Sequence, residues 1–170
     1  ETTGYSYSED FNLSSLKTAA KTAEFVSGVN VKRSVSNTNE HITKYYPYSH
    51  PLDDIDDNFK VSLLHDIENV ARSLSNKVEK VTVVMSSRYE EVLIARLDGS
   101  IVGDIRPLIR LNLTVVCNNG SERHSGSASL GGRYGFADLD TTKITAKLAS
   151  EAVNLALIQF EAVPAPAGEM

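Results

Sequence analysis

The sequence predicts an α+β fold: a mainly antiparallel sheet, mixed at most in part, built from successive hairpins and packed against three helices. Three observations carry that expectation. Two tight-turn dipeptides, Asp98-Gly99 and Asn119-Gly120, separate β-branched and alternating runs in the middle of the chain. Apolar residues at helical spacing occur twice before this region and once after it. Hairpins grouped together and flanked by helices make a layered α+β domain, whereas regular alternation of strand and helix would make a parallel sheet.

Taken in order, Gly4 to Ser8 alternates like the end of a strand, with Tyr5 and Tyr7 on one face. Ser8 or Asp10 is a candidate cap for a helix over residues 11–27 with a stripe of Leu13, Leu16, Ala20, Ala23 and Ser27, and Gly28 is its stop. Residues 28–55 lack periodicity and end in Tyr45-Tyr46-Pro47-Tyr48-Ser49-His50-Pro51, which reads as a strap along the surface. Asp53, Asp54, Asp56 and Asp57 suit the positive end of a second helix. They do not form a calcium loop, which needs a glycine at its sixth position and a glutamate at its twelfth. That helix carries Leu63, Ile67, Val70, Ala71 and Leu74 on one stripe.

Strands are expected at Val81–Met85 and Tyr89–Leu97, with the return from Ile101. Pro107 predicts an edge or bulge there, because it has no N–H for a ladder. Ile109, Leu111, Leu113, Val115 and Cys117 then alternate with Arg110, Asn112, Thr114 and Val116, a half-buried strand, and Glu122–Ser129 returns as a polar one. The last helix is expected over residues 142–160, with Ile144, Leu148, Ala152, Leu155, Ala156 and Gln159 along one side.

A chain of 170 residues is one domain or a little more, and 41% apolar with 23% charged residues is ordinary globular usage. The net charge of −5 and the scattered basic residues argue against direct nucleic-acid binding. No apolar run is long enough to span a bilayer, so no membrane role is expected. A single cysteine, Cys117, allows no internal disulfide and fits a reducing, cytoplasmic setting. The opening Glu1-Thr2-Thr3-Gly4 is not a signal peptide, and both ends read as processing boundaries of a larger protein.

Few residues are candidates for chemistry. His65 and Glu68 can share a helix face, but His41, His50 and His124 offer no second histidine at zinc-ligand spacing. Cys117 reads as a small buried hydrophobe, with His124 across a hairpin as its only nearby base. Ser125 to Gly135, SGSASLGGRYG, lacks the lysine of a phosphate-binding loop. Gly131-Gly132 permits close backbone approach, and Arg133 beside it can donate to a carboxylate or a peptide carbonyl. A strained turn and a ligand-contacting loop both remain open at this point.

Three segments in order, Arg106-Pro107-Leu108-Ile109-Arg110, Gly131-Gly132-Arg133-Tyr134-Gly135, and Glu151-Ala152-Val153 leading to Ala162-Val163-Pro164-Ala165-Pro166-Ala167-Gly168-Glu169-Met170, resemble the TldD side of the TldD/PmbA (TldE) family. Its members are metallopeptidases once described as modulators of DNA gyrase. The resemblance implies a His-Glu-x-x-x-His zinc motif beyond Met170. Zinc is then expected in a full-length parent, with no catalytic residue and no cofactor in residues 1–170. It further implies a peptide substrate and a TldE/PmbA-like partner or a homodimer. Arg106, Arg110, Gly131, Gly132, Arg133 and Tyr134 are the expected peptide or partner contacts. Residues 1–52 would be the remainder of an N-terminal domain, 53–161 a central α+β domain, and 162–170 a hinge into the metal-bearing part. The other reading is a binding module that modulates a partner, such as DNA gyrase or an antitoxin, without proteolysis.

Overall fold

The computed structural model describes residues 3–28, 39–43, 45–46, 53, 55–96, 98–135 and 140–168, and for 39–43 the backbone alone. The class is α+β: in chain order α1 (Leu13–Ser27), β1 (Asn39–Thr43), α2 (Asp57–Leu74), β2 (Val78–Ala95), β3 (Ser100–Asn118), β4 (Arg123–Gly132) and α3 (Thr141–Ile158). The chain divides into two compact units, residues 1–39 with 96–100, and residues 40–95 with 101–170.

In the first unit, Asn12 rather than Ser8 or Asp10 caps α1, its Oδ1 accepting from the Ser15 amide at 2.8 Å. Ser8 instead closes a local turn, its hydroxyl accepting from the Asp10 amide at 3.1 Å. Gly28 ends the helix in the left-handed region at φ 66°, as expected. The segment before α1 is not a strand. It runs extended along the helix, so close at Gly4 that a Cβ there would collide with the backbone of Ala23 and Ser27. The face that receives it is Ser15, Ala19, Ala23 and Ser27, about one residue of rotation from the expected leucine stripe. Small side chains let two backbones approach, whereas Leu13 and Leu16 stay 67% and 45% exposed.

In the second unit, β3 is the central strand, paired along one edge with β2 and along the other with β1 and β4. Both the β2 and the β4 ladders are antiparallel. Asn119-Gly120 turns β3 into β4, with Gly120 at φ 99°, and Asp98-Gly99, which is counted with the first unit, turns β2 into β3 with Gly99 at φ 88°. Arg96 N–H donates to Ser100 O at 2.9 Å, so Arg96 and Ser100 close the first hairpin. β1 lies inside the aperiodic stretch 28–55, just before the segment read as a strap, a strand the sequence pattern did not announce; Pro47, Tyr48, Ser49, His50 and Pro51 of that strap lie outside the described residues.

Pro107 does not break β3. Its register with β2 runs unbroken through Tyr89↔Pro107. Bonds in an antiparallel pair alternate sides, and the Arg96–Ser100 closure fixes even-numbered β3 residues toward β2. The missing N–H of Pro107 therefore points to the other edge, away from β2 and beyond the end of the β4 ladder at Ile109↔Gly132, on the edge that β1 also shares.

Odd-numbered β3 residues face the helices. Ile109, Leu111, Leu113, Val115 and Cys117 form the core with Leu63, Ile67 and Ala71 of α2, Ala128 of β4, and Leu148, Ala149, Ala152, Val153 and Ala156 of α3. Leu74 of α2 and Leu155 of α3, expected inside, are 47% and 45% exposed, and on α3 Val153 is buried instead. α3 packs on β4, and α2 packs on α3 and β2. Gly126 and Ala128 of β4 meet the alanines of α3, so helix and strand approach closely.

Candidate functional site

The even-numbered side of β3 carries Asp104, Arg106, Leu108, Arg110, Asn112 and Thr114, away from the helices. The β4 register sets Arg110 opposite Gly131 and Asn112 opposite Ser129. Side chains along this face tie to one another: Arg110 Nε donates to Asn112 Oδ1 at 3.0 Å, and Thr114 Oγ1 lies 3.1 Å from Ser127 Oγ.

Arg106 is the most firmly held of the predicted contacts. Its Nε donates to Asp104 Oδ2 at 2.6 Å. That hydrogen bond, with the charges of Asp104 and, more weakly, Glu90, pushes the Arg106 pKa further up, so the guanidinium stays charged. Glu90 sits directly opposite Arg106 on β2. The second Asp104 oxygen, Oδ1, is buried with no hydrogen-bond partner among the described residues, a group left with acceptor capacity.

Tyr46 packs against the second half of the predicted set. The Arg133 guanidinium lies over its ring, 5.6 Å from the centroid. Arg133 is thereby held on an aromatic side chain 87 positions away in the numbering. Arg133 is exposed. Gly132 has a different role, because a Cβ there would strike the ring of Tyr134. Tyr134 is half-buried and packs against the core, supporting the loop that carries Arg133.

Neither Tyr46 nor the acidic anchors of Arg106 were among the predicted contacts. Asp104 was recoverable from alternation, since residues two apart on a strand share a face. Glu90 depended on hairpin register: a two-residue Asp98-Gly99 loop would pair it with Pro107, whereas closure at Arg96–Ser100 pairs it with Arg106.

The other candidates are structural. Cys117 is fully buried, and burial pushes its thiol pKa up despite the opposing charge of Lys77. His124 does lie opposite Cys117, but it packs edge-on against Phe160 with ring centroids 4.7 Å apart. His65 is exposed and lines, with Glu68, Val61, Leu64, Val81 and Val83, a shallow groove of about 200 Å³.

The second unit is thus an α+β domain: a helix-backed sheet with a polar open face. Over residues 50–160 the chain matches the PmbA/TldA metallopeptidase central domain, and it belongs to the PmbA/TldD family. It is 38% identical to a metalloprotease TldD homolog of Haemophilus influenzae, covering 100% of this chain and 37% of that protein. It is 29% identical to a metalloprotease TldD homolog of Buchnera aphidicola, covering 99% of this chain and 36% of that protein. The fold resembles the crystal structure of a modulator of a DNA gyrase from Thermotoga maritima, with a TM-score of 0.64 at 15% identity, over 89% of this chain and 34% of that one. The chain thus spans little more than a third of the length of these relatives.

A zinc site takes about three protein ligands. Among the described residues no three of His, Cys, Asp and Glu lie close enough together to hold an ion, so the donors described here do not fit a metallopeptidase centre. Among the described residues, no helix is long and apolar enough to cross a membrane.

Proposed function

We propose that the chain is the supporting part of a TldD-like zinc-dependent peptidase, providing scaffold, assembly and peptide-binding surface while the metal ligands belong to the remaining length of the full protein. The exposed Arg133 guanidinium, held over the Tyr46 ring, carries the peptide part of this reading. A charged donor fork of this kind recognises a carboxylate or a peptide carbonyl.

The outer edge of β4 adds a second element. Gln159 Nε2 donates to the Ser125 carbonyl at 2.7 Å, which turns the backbone groups of Ser127, Ser129 and Gly131 outward by alternation. No strand pairs with that edge among the described residues. An unfolded peptide entering as an added strand would reach these groups regardless of its sequence. A reducing, cytoplasmic setting belongs to the same reading, with Cys117 a buried free thiol.

Arg133→Ala in the full-length parent tests it. Peptide kcat/KM is expected to fall roughly tenfold or more, the worth of a charged hydrogen bond, with the melting temperature nearly unchanged. Unchanged peptide kinetics would remove Arg133 from the contact surface. The purified chain of residues 1–170 is expected to hold no stoichiometric zinc and to cleave no peptide; zinc-dependent cleavage by it contradicts the reading.

A second reading follows from the gyrase modulator whose fold this chain shares: a module that binds a partner protein without proteolysis. Binding of purified gyrase that persists in a chelator, together with no peptidase activity in the full-length parent, would favour it.

A further inference from the structure

α2 and α3 pack on each other in the second unit. Where the first turn of α3 meets the middle of α2, they leave a cavity of about 320 Å³, a volume within the range of small-molecule sites. Its apolar lining comes from Leu63 and Val70 of α2 and Ala146 of α3. The two helices give it polar groups of opposite character.

The α2 side carries Asp66, with Asn69 one turn along. The other two acids of α2 are paired, Asp57 with Lys60 and Glu68 with Arg72, each at 2.8 Å. Asp66 has no ion pair among the described residues and is exposed. The α3 side is a helix N-terminus, lined by Thr141, Thr142 and Thr145. Asp140 caps it: its Oδ1 accepts from the Lys143 amide at 3.1 Å, and its carbonyl from the Ile144 amide at 3.0 Å. The amides of Thr141 and Thr142, first in the helix, have no acceptor within it.

Thr145 independently marks the same place. It is only 6% exposed, yet its hydroxyl makes no hydrogen bond among the described residues. In α1, Thr18 and Thr22 satisfy theirs on the carbonyl four residues back, at 2.9 and 3.0 Å. Thr145 does not, and it borders the cavity. An enclosed hydroxyl without a partner is a group that a ligand can satisfy.

We propose that this cavity binds a free α-amino acid with an apolar side chain. The carboxylate accepts from the Thr141 and Thr142 amides, at the positive end of α3, and from the Thr145 hydroxyl. The ammonium pairs with Asp66, and the side chain covers Leu63, Val70 and Ala146. A simple anion would meet the Asp66 carboxylate with nothing to offset it, and a simple amine would leave the α3 amides unmet. A ligand bearing both charges satisfies both sides. The site shares no residue with the Arg133 surface and does not rest on the peptide reading.

L-Leucine titrated into the purified chain, followed through backbone amide chemical shifts, tests it. Saturable binding at millimolar concentration or tighter is expected for a ligand of this size, with the Thr141 and Thr142 amides among those that shift. Leucinamide lacks the carboxylate and N-acetylleucine lacks the ammonium. Each is expected to bind roughly tenfold more weakly or worse, the loss of one charged contact. Asp66→Asn alters an exposed group and Thr145→Val keeps the side-chain shape, so both should fold as the parent does, checked by circular dichroism, while binding leucine more weakly by a similar factor. No saturation by roughly 50 mM leucine, either analogue matching leucine, or a folded variant that binds leucine as the parent does overturns the proposal. Peptide turnover is not the readout, so each of these results leaves the peptide reading where it stands.

Discussion

A methyl group added at Gly126 would have to occupy space held by the Ala152 carbonyl and the Ala156 amide. Neither atom can yield without shifting helix from strand, so Gly126→Ala is expected to destabilise the second unit by about 1–3 kcal/mol, the usual cost of overpacking. A urea titration would show it as a lower midpoint. Glu79 presents a different sensitivity. The Arg123 guanidinium, bonded to it at 2.8 Å through two nitrogens, holds its carboxyl below the usual range, and Asn118 adds a smaller hydrogen-bond effect. A depressed carboxylate contributes stability above its unfolded pKa of 4.5, and that contribution is lost as pH falls through the lower folded value. Arg123→Gln is therefore expected to reduce the loss of stability between about pH 6 and about pH 3, measured as the difference in urea midpoints at the two pH values. An equal loss in both proteins would show that the pair contributes nothing measurable.

The three helices differ in what holds them. α3 buries Thr145, Leu148, Ala149, Ala152, Val153 and Ala156, whereas α1 buries none of its residues. Isolated helices of about 15 residues are marginal in water, so α1 depends on its caps and on the extended segment lying along it. Its amides are expected to exchange with solvent deuterium faster than those of α3, and Asn12→Ala, which removes the cap, should accelerate that exchange by about fivefold, equivalent to a cap worth about 1 kcal/mol. Similar protection in the two helices would contradict this account. The same contrast explains which elements were legible in sequence. α2 and the β3 alternation are visible because one packed face selects the periodicity. β1 was not, because a short strand is chosen by a neighbour whose position local sequence does not contain. The expected strand at Gly4–Ser8 failed for a related reason: alternation gives a face but supplies no partner strand.

The core of the second unit draws on β3, β4, α2 and α3 together. Ile67 is fully buried there, and Ile67→Ala is expected to cost roughly 2–5 kcal/mol, with the urea midpoint lowered and the slope unchanged. Loss of much less would mean that the surrounding side chains close over the cavity.

By itself, the sequence determined the α+β class, the two glycine turns and the core-facing residues of β3. These are local or periodic properties: a left-handed turn residue, an alternation of two, a face repeated at helical spacing. The tertiary structure decided what those properties leave open. It fixed the hairpin closure that sets Glu90 opposite Arg106, carried β3 through Pro107, and brought Tyr46 to Arg133 from a distant part of the chain. Each depends on which backbone groups face which neighbour. One residue of register reverses both the face and the bonding edge of every position in a strand, and only the packed sheet settles that register.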